Sequence, residues 1–213
     1  MNNNFSNLVL VHTVKSWLQK PRSWRIDRWV AESIAETVLE HINKVVKSAS
    51  ILWRKRKTLV FDRIVNIARY HDTPEYKEKD YIPWEIDKFK KHNREKIVML
   101  ELKEKCNNKQ WDKVFGYRIE HELQESEESK LVHQLDKIDA AIQSLSYQRQ
   151  GYDRMDEFFP YTRDRITDPI LLKIFDILMK KEFIDIDPYT QYFSLLEYEG
   201  NEELFKEKMN SLL

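Results

Sequence analysis

Residues 127–148 carry the sequence feature that most constrains the fold. Apolar side chains recur there at every third or fourth position, and polar side chains fill the positions between them. The apolar stripe consists of Leu131, Leu135, Ile138, Ile142 and Leu145. This spacing matches the 3.6-residue turn of an α-helix and predicts one long amphipathic helix that packs in a core.

Similar periodicity predicts further helices along the chain. The predicted spans are 5–19, 31–50, 57–71, 84–106, 108–123, 170–181, 188–197 and 201–212, and 149–168 is expected to be irregular. Only 3 glycines occur in 213 residues, so few turn signals interrupt these segments. The sequence therefore predicts an all-α fold, with residues 1–165 as the main domain and 166–213 as a C-terminal helical extension packed on it.

The charge balance bears on which partners the chain can have. Basic and acidic residues number 36 each, so the formal net charge is zero, whereas a general binder of nucleic acid or membrane surfaces is usually basic. No apolar run reaches 18 residues, and the single cysteine rules out a disulfide within the chain. These features predict a cytoplasmic protein that binds neither nucleic acid nor membranes.

The adjacent pair His71-Asp72 is the clearest chemical motif. It follows a predicted helix whose apolar positions share one face, and Pro74 ends that helix. Glu75 lies four residues after His71, so the two can point the same way, and Asp136 lies beside the apolar stripe of the later helix. One imidazole and nearby carboxylates are suited to holding a divalent metal over a phosphate.

A wider pattern surrounds this pair. Its segments are 32–36 (ESIAE), 70–75 (YHDTPE), 80–83 (DYIP), 91–95 (KHNRE), 129–139 (SKLVHQLDKID) and 150–152 (QGY). In order and spacing these segments resemble the HD-domain phosphohydrolases and, within them, the 5'-deoxynucleotidase family. The resemblance covers residues 20–165.

The resemblance implies an HD-domain helical bundle, a divalent metal ion and hydrolysis of (deoxy)nucleoside 5'-monophosphates. By position, His71, Asp72 and Asp136 would be metal ligands. The ion would be Mg²⁺, Mn²⁺ or Co²⁺, with Zn²⁺ as a further candidate. The family resemblance also suggests a homodimer.

The resemblance assigns four further residues to the reaction. Glu75 would act in proton transfer, and Asp80 would orient it or contact the sugar. Trp24 and Arg28, in the connector before the first core helix, would contact the sugar and the phosphate. The planar guanidinium of Arg28 suits bidentate binding of phosphate oxygens.

The chain departs from the family at its first metal ligand. The family has a histidine after the residue that corresponds to Glu36, and this chain has Thr37. A hydroxyl is a poor ligand for transition metals beside imidazole, so three protein ligands would remain. His41, one turn later, could compensate if the helix were displaced by about one turn, roughly 5.4 Å. Alternatively, His41 simply packs or forms a hydrogen bond nearby.

Three functions follow from these observations. The first is a metal-dependent phosphohydrolase that removes the 5'-phosphate from (deoxy)nucleoside monophosphates. The second is a catalytically impaired HD-type module that binds a nucleotide or a protein partner, with Thr37 as the inactivating change. The third is a related hydrolase of triphosphates or cyclic nucleotides. His121 and His133 fall on charged helix faces and are predicted to be surface residues.

Overall fold

The computed structural model describes residues 19–22, 30–79, 81, 85–106 and 109–213. These residues form nine α-helices and one 3-10 helix, and their only β pairing is an isolated bridge between Pro21 and Thr37. The predicted all-α fold is therefore confirmed. The predicted helix at 5–19 lies almost wholly outside the described residues. The α-helices are α1 Val38–Lys55, α2 Phe61–Tyr70, α3 Lys88–Cys106, α4 Lys109–Leu123, α5 Glu127–Arg149, α6 Phe158–Arg163, α7 Pro169–Met179, α8 Pro188–Glu197 and α9 Glu202–Asn210.

The first core helix begins later than the periodicity predicts. It was expected from residue 31, but α1 begins at Val38, and residues 32–34 form a turn. Thr37 caps the helix: its hydroxyl accepts a hydrogen bond from the Glu40 amide, and the Glu40 carboxylate accepts one from the Thr37 amide. This reciprocal capping box satisfies amides that would otherwise lack partners, so it fixes the start of α1 at this position.

Helix α5 is the central element of the core. It packs against α1, α2, α4, α6 and α8, and Ser126 caps it by accepting a hydrogen bond from the Ser129 amide. The predicted stripe is buried throughout, with Leu135, Ile138 and Ile142 fully inaccessible to solvent. Burial of side chains of this size stabilises a fold by about 1.5–3 kcal/mol each.

The last three helices complete this core. Leu171, Phe175 and Tyr192 join the same buried cluster as Leu135 and Ile138. Helix α8 packs on α5, and α7 packs on α8. The division at residue 165 stays a prediction. The 149–168 segment is not wholly irregular, since α6 occupies part of it. Among the described residues, no helix is both long enough and apolar enough to span a membrane.

A smaller apolar cluster supports the turn after α2. The 3-10 helix Thr73–Tyr76 packs on α3. Tyr76 belongs to one buried cluster with Val38 and Ile42 from α1 and Met99 from α3. The cluster thus holds the segment that follows the His-Asp pair against the first turns of α1.

Candidate metal centre

The end of helix α2 positions the adjacent His-Asp pair. His71 takes the position directly after the last helical residue, and Asp72 leaves the helical conformation at φ −100° and ψ 18°. The His71 Nδ1 atom lies 2.7 Å from the Ala68 carbonyl oxygen. A carbonyl can only accept, so Nδ1 carries the proton and the lone pair of a neutral His71 is on Nε2.

His41 enters the same space from helix α1. Its Nε2 atom lies 3.2 Å from His71 Nε2, 3.3 Å from Asp72 Oδ2 and 3.2 Å from Asp136 Oδ1. The side chain is fully buried. The structure therefore brings His41 together with the three residues that the family resemblance assigns as ligands.

Helix α5 contributes two carboxylates to this cluster. Asp136 offers Oδ1 to the histidines, while its Oδ2 accepts a hydrogen bond from Lys137 Nζ at 2.7 Å. Asp139, one turn further on, places Oδ2 at 2.6 Å from His41 Nδ1. This contact makes Nδ1 a donor, so in a neutral His41 the lone pair is on Nε2, the nitrogen that faces His71.

The donor set fits a metal ion. In neutral imidazoles, the two Nε2 lone pairs would face each other at 3.2 Å, with carboxylate oxygens beside them. Asp72 Oδ2 is buried and has no hydrogen-bond partner among the described residues. Facing lone pairs and a buried carboxylate oxygen repel one another unless a cation lies between them. The ligand atoms of His41, His71 and Asp136 all lie within 4.8 Å of one another.

The electrostatics of these side chains agree with this. Burial and Arg22 lower the pKa of His41, but Asp139 and Asp136 outweigh them and raise it well above 6.5. Burial by itself would raise the pKa of Asp72, but His71 and His41 hold it well below its usual value. Burial would also raise the pKa of Asp136, but Lys137 and His41 lower it well below its usual value. A proton on His41 thus occupies the place where a cation would neutralise both carboxylates.

The other predicted site residues are not among the described atoms of this cluster. Thr37 Oγ1 donates to Glu40 Oε2 at 2.9 Å as part of the capping box at the start of α1. Glu75 is buried in the 3-10 helix, and its amide donates to the Asp72 carbonyl. Trp24, Arg28 and Asp80 lie outside the described residues.

Sequence reasoning missed two groups of side chains. Asp139 was visible only as a neighbour of Asp136, and its contact with His41 joins residues 98 positions apart. The prediction that His121 is a surface residue is wrong, since it is 8% exposed, and His133 is half-buried. Helices α4 and α5, which carry these two histidines, pack against each other. The only local signal is that His133 precedes Asp136 by three residues, which puts both on one helix face.

Burial also sets the protonation of these two histidines. Burial and the neighbouring His71 hold the pKa of His121 well below 6.5. Burial and Lys137 lower the pKa of His133 to about 4. Both imidazoles are therefore neutral near pH 7 and keep one free lone pair each.

Comparisons with known proteins identify the family. Residues 21–173 match the HD domain family. The 5'-deoxynucleotidase HDDC2 of Xenopus laevis is 30% identical over 159 residues, which cover 72% of this chain and 76% of that protein. The zebrafish (Danio rerio) protein of the same name is 29% identical over 149 residues, covering 68% of this chain and 74% of its own length.

A solved structure supports the fold. The PH0347 protein from Pyrococcus horikoshii OT3 superimposes with a TM-score of 0.59 at 20% sequence identity, covering 91% of this chain and 97% of its own. The family match spans more than half of the chain and includes His41, the His71-Asp72 pair and Asp136. The chain therefore belongs to the HD domain family, as a metal-dependent phosphohydrolase that resembles the 5'-deoxynucleotidases.

Proposed function

We propose that this protein removes the 5'-phosphate from (deoxy)nucleoside monophosphates, with a divalent metal ion held by His41, His71, Asp72 and Asp136. The observation that carries the proposal is the meeting of two imidazole nitrogens and two carboxylate oxygens around one buried point. The relatives named 5'-deoxynucleotidase support the choice of substrate.

His41 replaces the family histidine from one turn further along the helix. Because Thr37 is engaged in the cap, α1 begins at Val38, and His41 follows Thr37 by four residues, which is about one turn. Asp139 holds the imidazole of His41 by its Nδ1 atom, as carboxylates commonly do for histidine ligands. Two imidazoles and two carboxylates suit Mn²⁺, Co²⁺ or Zn²⁺, with Mg²⁺ a weaker candidate.

The chemistry divides between the ion and the side chains. When bound, a divalent ion supplies Lewis acidity toward a phosphate oxygen and a water molecule. Glu75, buried next to the His-Asp pair, would take or give a proton. Lys137 brings a positive charge beside Asp136, where it can attract the phosphate. Asp80, Trp24 and Arg28 keep the orienting, sugar-binding and phosphate-binding roles proposed from the resemblance.

The first test is phosphate release by metal-stripped protein. A panel of deoxynucleoside and ribonucleoside monophosphates, triphosphates and cyclic nucleotides would be supplied with Mg²⁺, Mn²⁺, Co²⁺ or Zn²⁺ in turn. We expect release from monophosphates with at least one ion. Metal binding without release from any nucleotide would contradict the proposal and favour a binding module.

The role of His41 has its own test. His41→Ala is expected to lose metal affinity, while Thr37→Ala is expected to keep it and to lose about 1 kcal/mol of stability through the cap. The double variant Thr37→His, His41→Ala tests whether a histidine at position 37, where the family has one, restores metal binding. Full metal affinity in His41→Ala would remove His41 from the ligand set.

Two properties of the whole molecule remain proposals. We propose a homodimer and a cytoplasmic location, both suggested by the family resemblance and the composition of the chain. Light scattering on the purified protein would measure its mass, and the mass of a monomer at micromolar concentration would contradict the dimer.

A further inference from the structure

A second histidine cluster lies next to the proposed metal centre. His121 is on helix α4, near its end, and His133 is on helix α5, one turn before Asp136. One ligand atom from each of these three residues lies within 4.8 Å of the other two. The rings of His71 and His121 are 5.3 Å apart, and those of His121 and His133 are 5.6 Å apart. Imidazoles thus continue from the first centre toward the surface.

His121 has no hydrogen-bond partner for either ring nitrogen among the described residues, although it is only 8% exposed. A buried polar group that is left unpaired destabilises the folded state. A residue present only to fill space would be apolar at such a position. A buried, unpaired imidazole therefore needs an explanation, and a metal ion is a partner that two imidazoles and a carboxylate can bind together.

We infer that His121, His133 and Asp136 form a second divalent metal site, with Asp136 shared between the two centres. Two imidazoles and one carboxylate favour Mn²⁺, Co²⁺ or Zn²⁺ over Mg²⁺. The inference rests on the proposed function through Asp136, which both sites use.

The charges around Asp136 decide how the two sites can share it. Its Oδ1 atom faces His41, and its Oδ2 atom accepts a hydrogen bond from Lys137. Arg118 and Lys88 add positive charge near the histidines, whereas Glu122 adds negative charge near His133. The ion pair between Lys137 and Asp136 must therefore open when both ions are bound, and this releases the lysine toward a phosphate.

Metal stoichiometry tests the inference independently of catalysis. Metal-stripped protein would be dialysed against Mn²⁺ or Co²⁺, and bound metal would be measured by mass spectrometry. We expect two equivalents for the wild type and one for either His121→Phe or His133→Gln. His133 is half-buried, so this variant is expected to fold even if His121→Phe does not. His92→Gln, a histidine on α3 outside both clusters, is the matched control and should keep two equivalents.

A spectroscopic signature separates the two sites. Two Mn²⁺ ions that share a carboxylate give an exchange-coupled electron paramagnetic resonance signal, which should vanish in His133→Gln and leave the signal of a single ion. Saturation of the wild type at one equivalent, or two equivalents retained in both variants, would overturn the inference. Two bound ions without nucleotide hydrolysis would refute the proposed activity but support the second site. Hydrolysis with only one bound ion would support the activity and refute the second site.

Discussion

The two sides of helix α5 bury opposite kinds of side chain. Leu135 and Ile138 belong to an apolar cluster that includes residues of α7 and α8, whereas Asp136 and Asp139 face the histidines of α1 and α2. The two sets alternate along the same turns of one helix, and all four side chains are at most 6% exposed.

The two sides of α5 differ in how precisely their contacts must be placed. The apolar side gains free energy in proportion to the area it removes from water, so many arrangements of similar volume would serve. The polar side is tolerable only where each carboxylate meets a cation or a donor at bonding distance. Changes on the apolar side should therefore alter stability, and changes on the polar side should alter metal binding and catalysis.

The largest effect is expected from Asp72→Asn. Removing the negative charge of one proposed ligand should lower phosphate release on the order of 10⁴-fold, or about 5 kcal/mol of transition-state stabilisation. The free energy of unfolding of the metal-stripped variant should also fall, because His71 and His41 stabilise the charged form of Asp72 in the folded protein. Kinetics and chemical denaturation of one preparation would measure both quantities, and equal turnover in wild type and variant would refute the role of Asp72.

The next largest effect is expected on the apolar side. Leu171→Ala removes a fully buried side chain of α7 and should lower the free energy of unfolding by about 3 kcal/mol. Leu204→Ala, at a position 46% exposed on α9, is the matched control and should cost less than about 1 kcal/mol. Metal stoichiometry should be unchanged in both. Loss of metal from the folded Leu171→Ala protein would break the distinction between the two sides.

A smaller effect is expected for Asp139→Asn. The residue holds His41 without being one of the proposed ligands, so the variant should weaken metal affinity by about 10–100-fold while keeping the stoichiometry. Competition with a chelator of known affinity would measure the change. An affinity equal to that of the wild type would show that the contact at 2.6 Å does not position the imidazole.

The smallest effect is expected at the start of α7. Asp168 caps this helix through the Ile170 and Leu171 amides and forms a paired hydrogen bond with Arg56 at 2.7 and 2.9 Å. Asp168→Ala should cost about 1 kcal/mol of stability, and Asp168→Asn less, because an amide can still cap. Thermal denaturation of the two variants would separate the contribution of the cap to stability from that of the ion pair with Arg56.

The same carboxylate gives a pH dependence with a definite sign. Burial would raise the pKa of Asp168, but the hydrogen bonds from Arg56 and from the helix amides lower it below 3.8. Its contribution to stability is therefore complete above the pKa of the unfolded chain and is lost as the pH falls through the lower folded value. The gap in stability between wild type and Asp168→Ala should narrow in acid, and a gap that widens there would contradict this assignment.

Much of the fold was predictable from local pattern. The stripe of α5, the helix that ends at the His-Asp pair and the three C-terminal helices follow from spacing along one segment, because helical periodicity is a property of neighbouring residues. The start of α1 was not predicted. The apolar pattern extends back through 31–37, whereas the capping box of Thr37 and Glu40 sets the first helical residue at Val38.

The sequence by itself determined that the chain is helical and that it belongs to the HD domain family, and its resemblance to that family predicted His71, Asp72 and Asp136 as metal ligands. The tertiary structure alone decided that His41 joins them, that Asp139 supports it and that His121 is buried. These facts depend on contacts between residues 30 to 98 positions apart. No local pattern encodes them, because the direction of a side chain into a shared space is set by how whole helices pack.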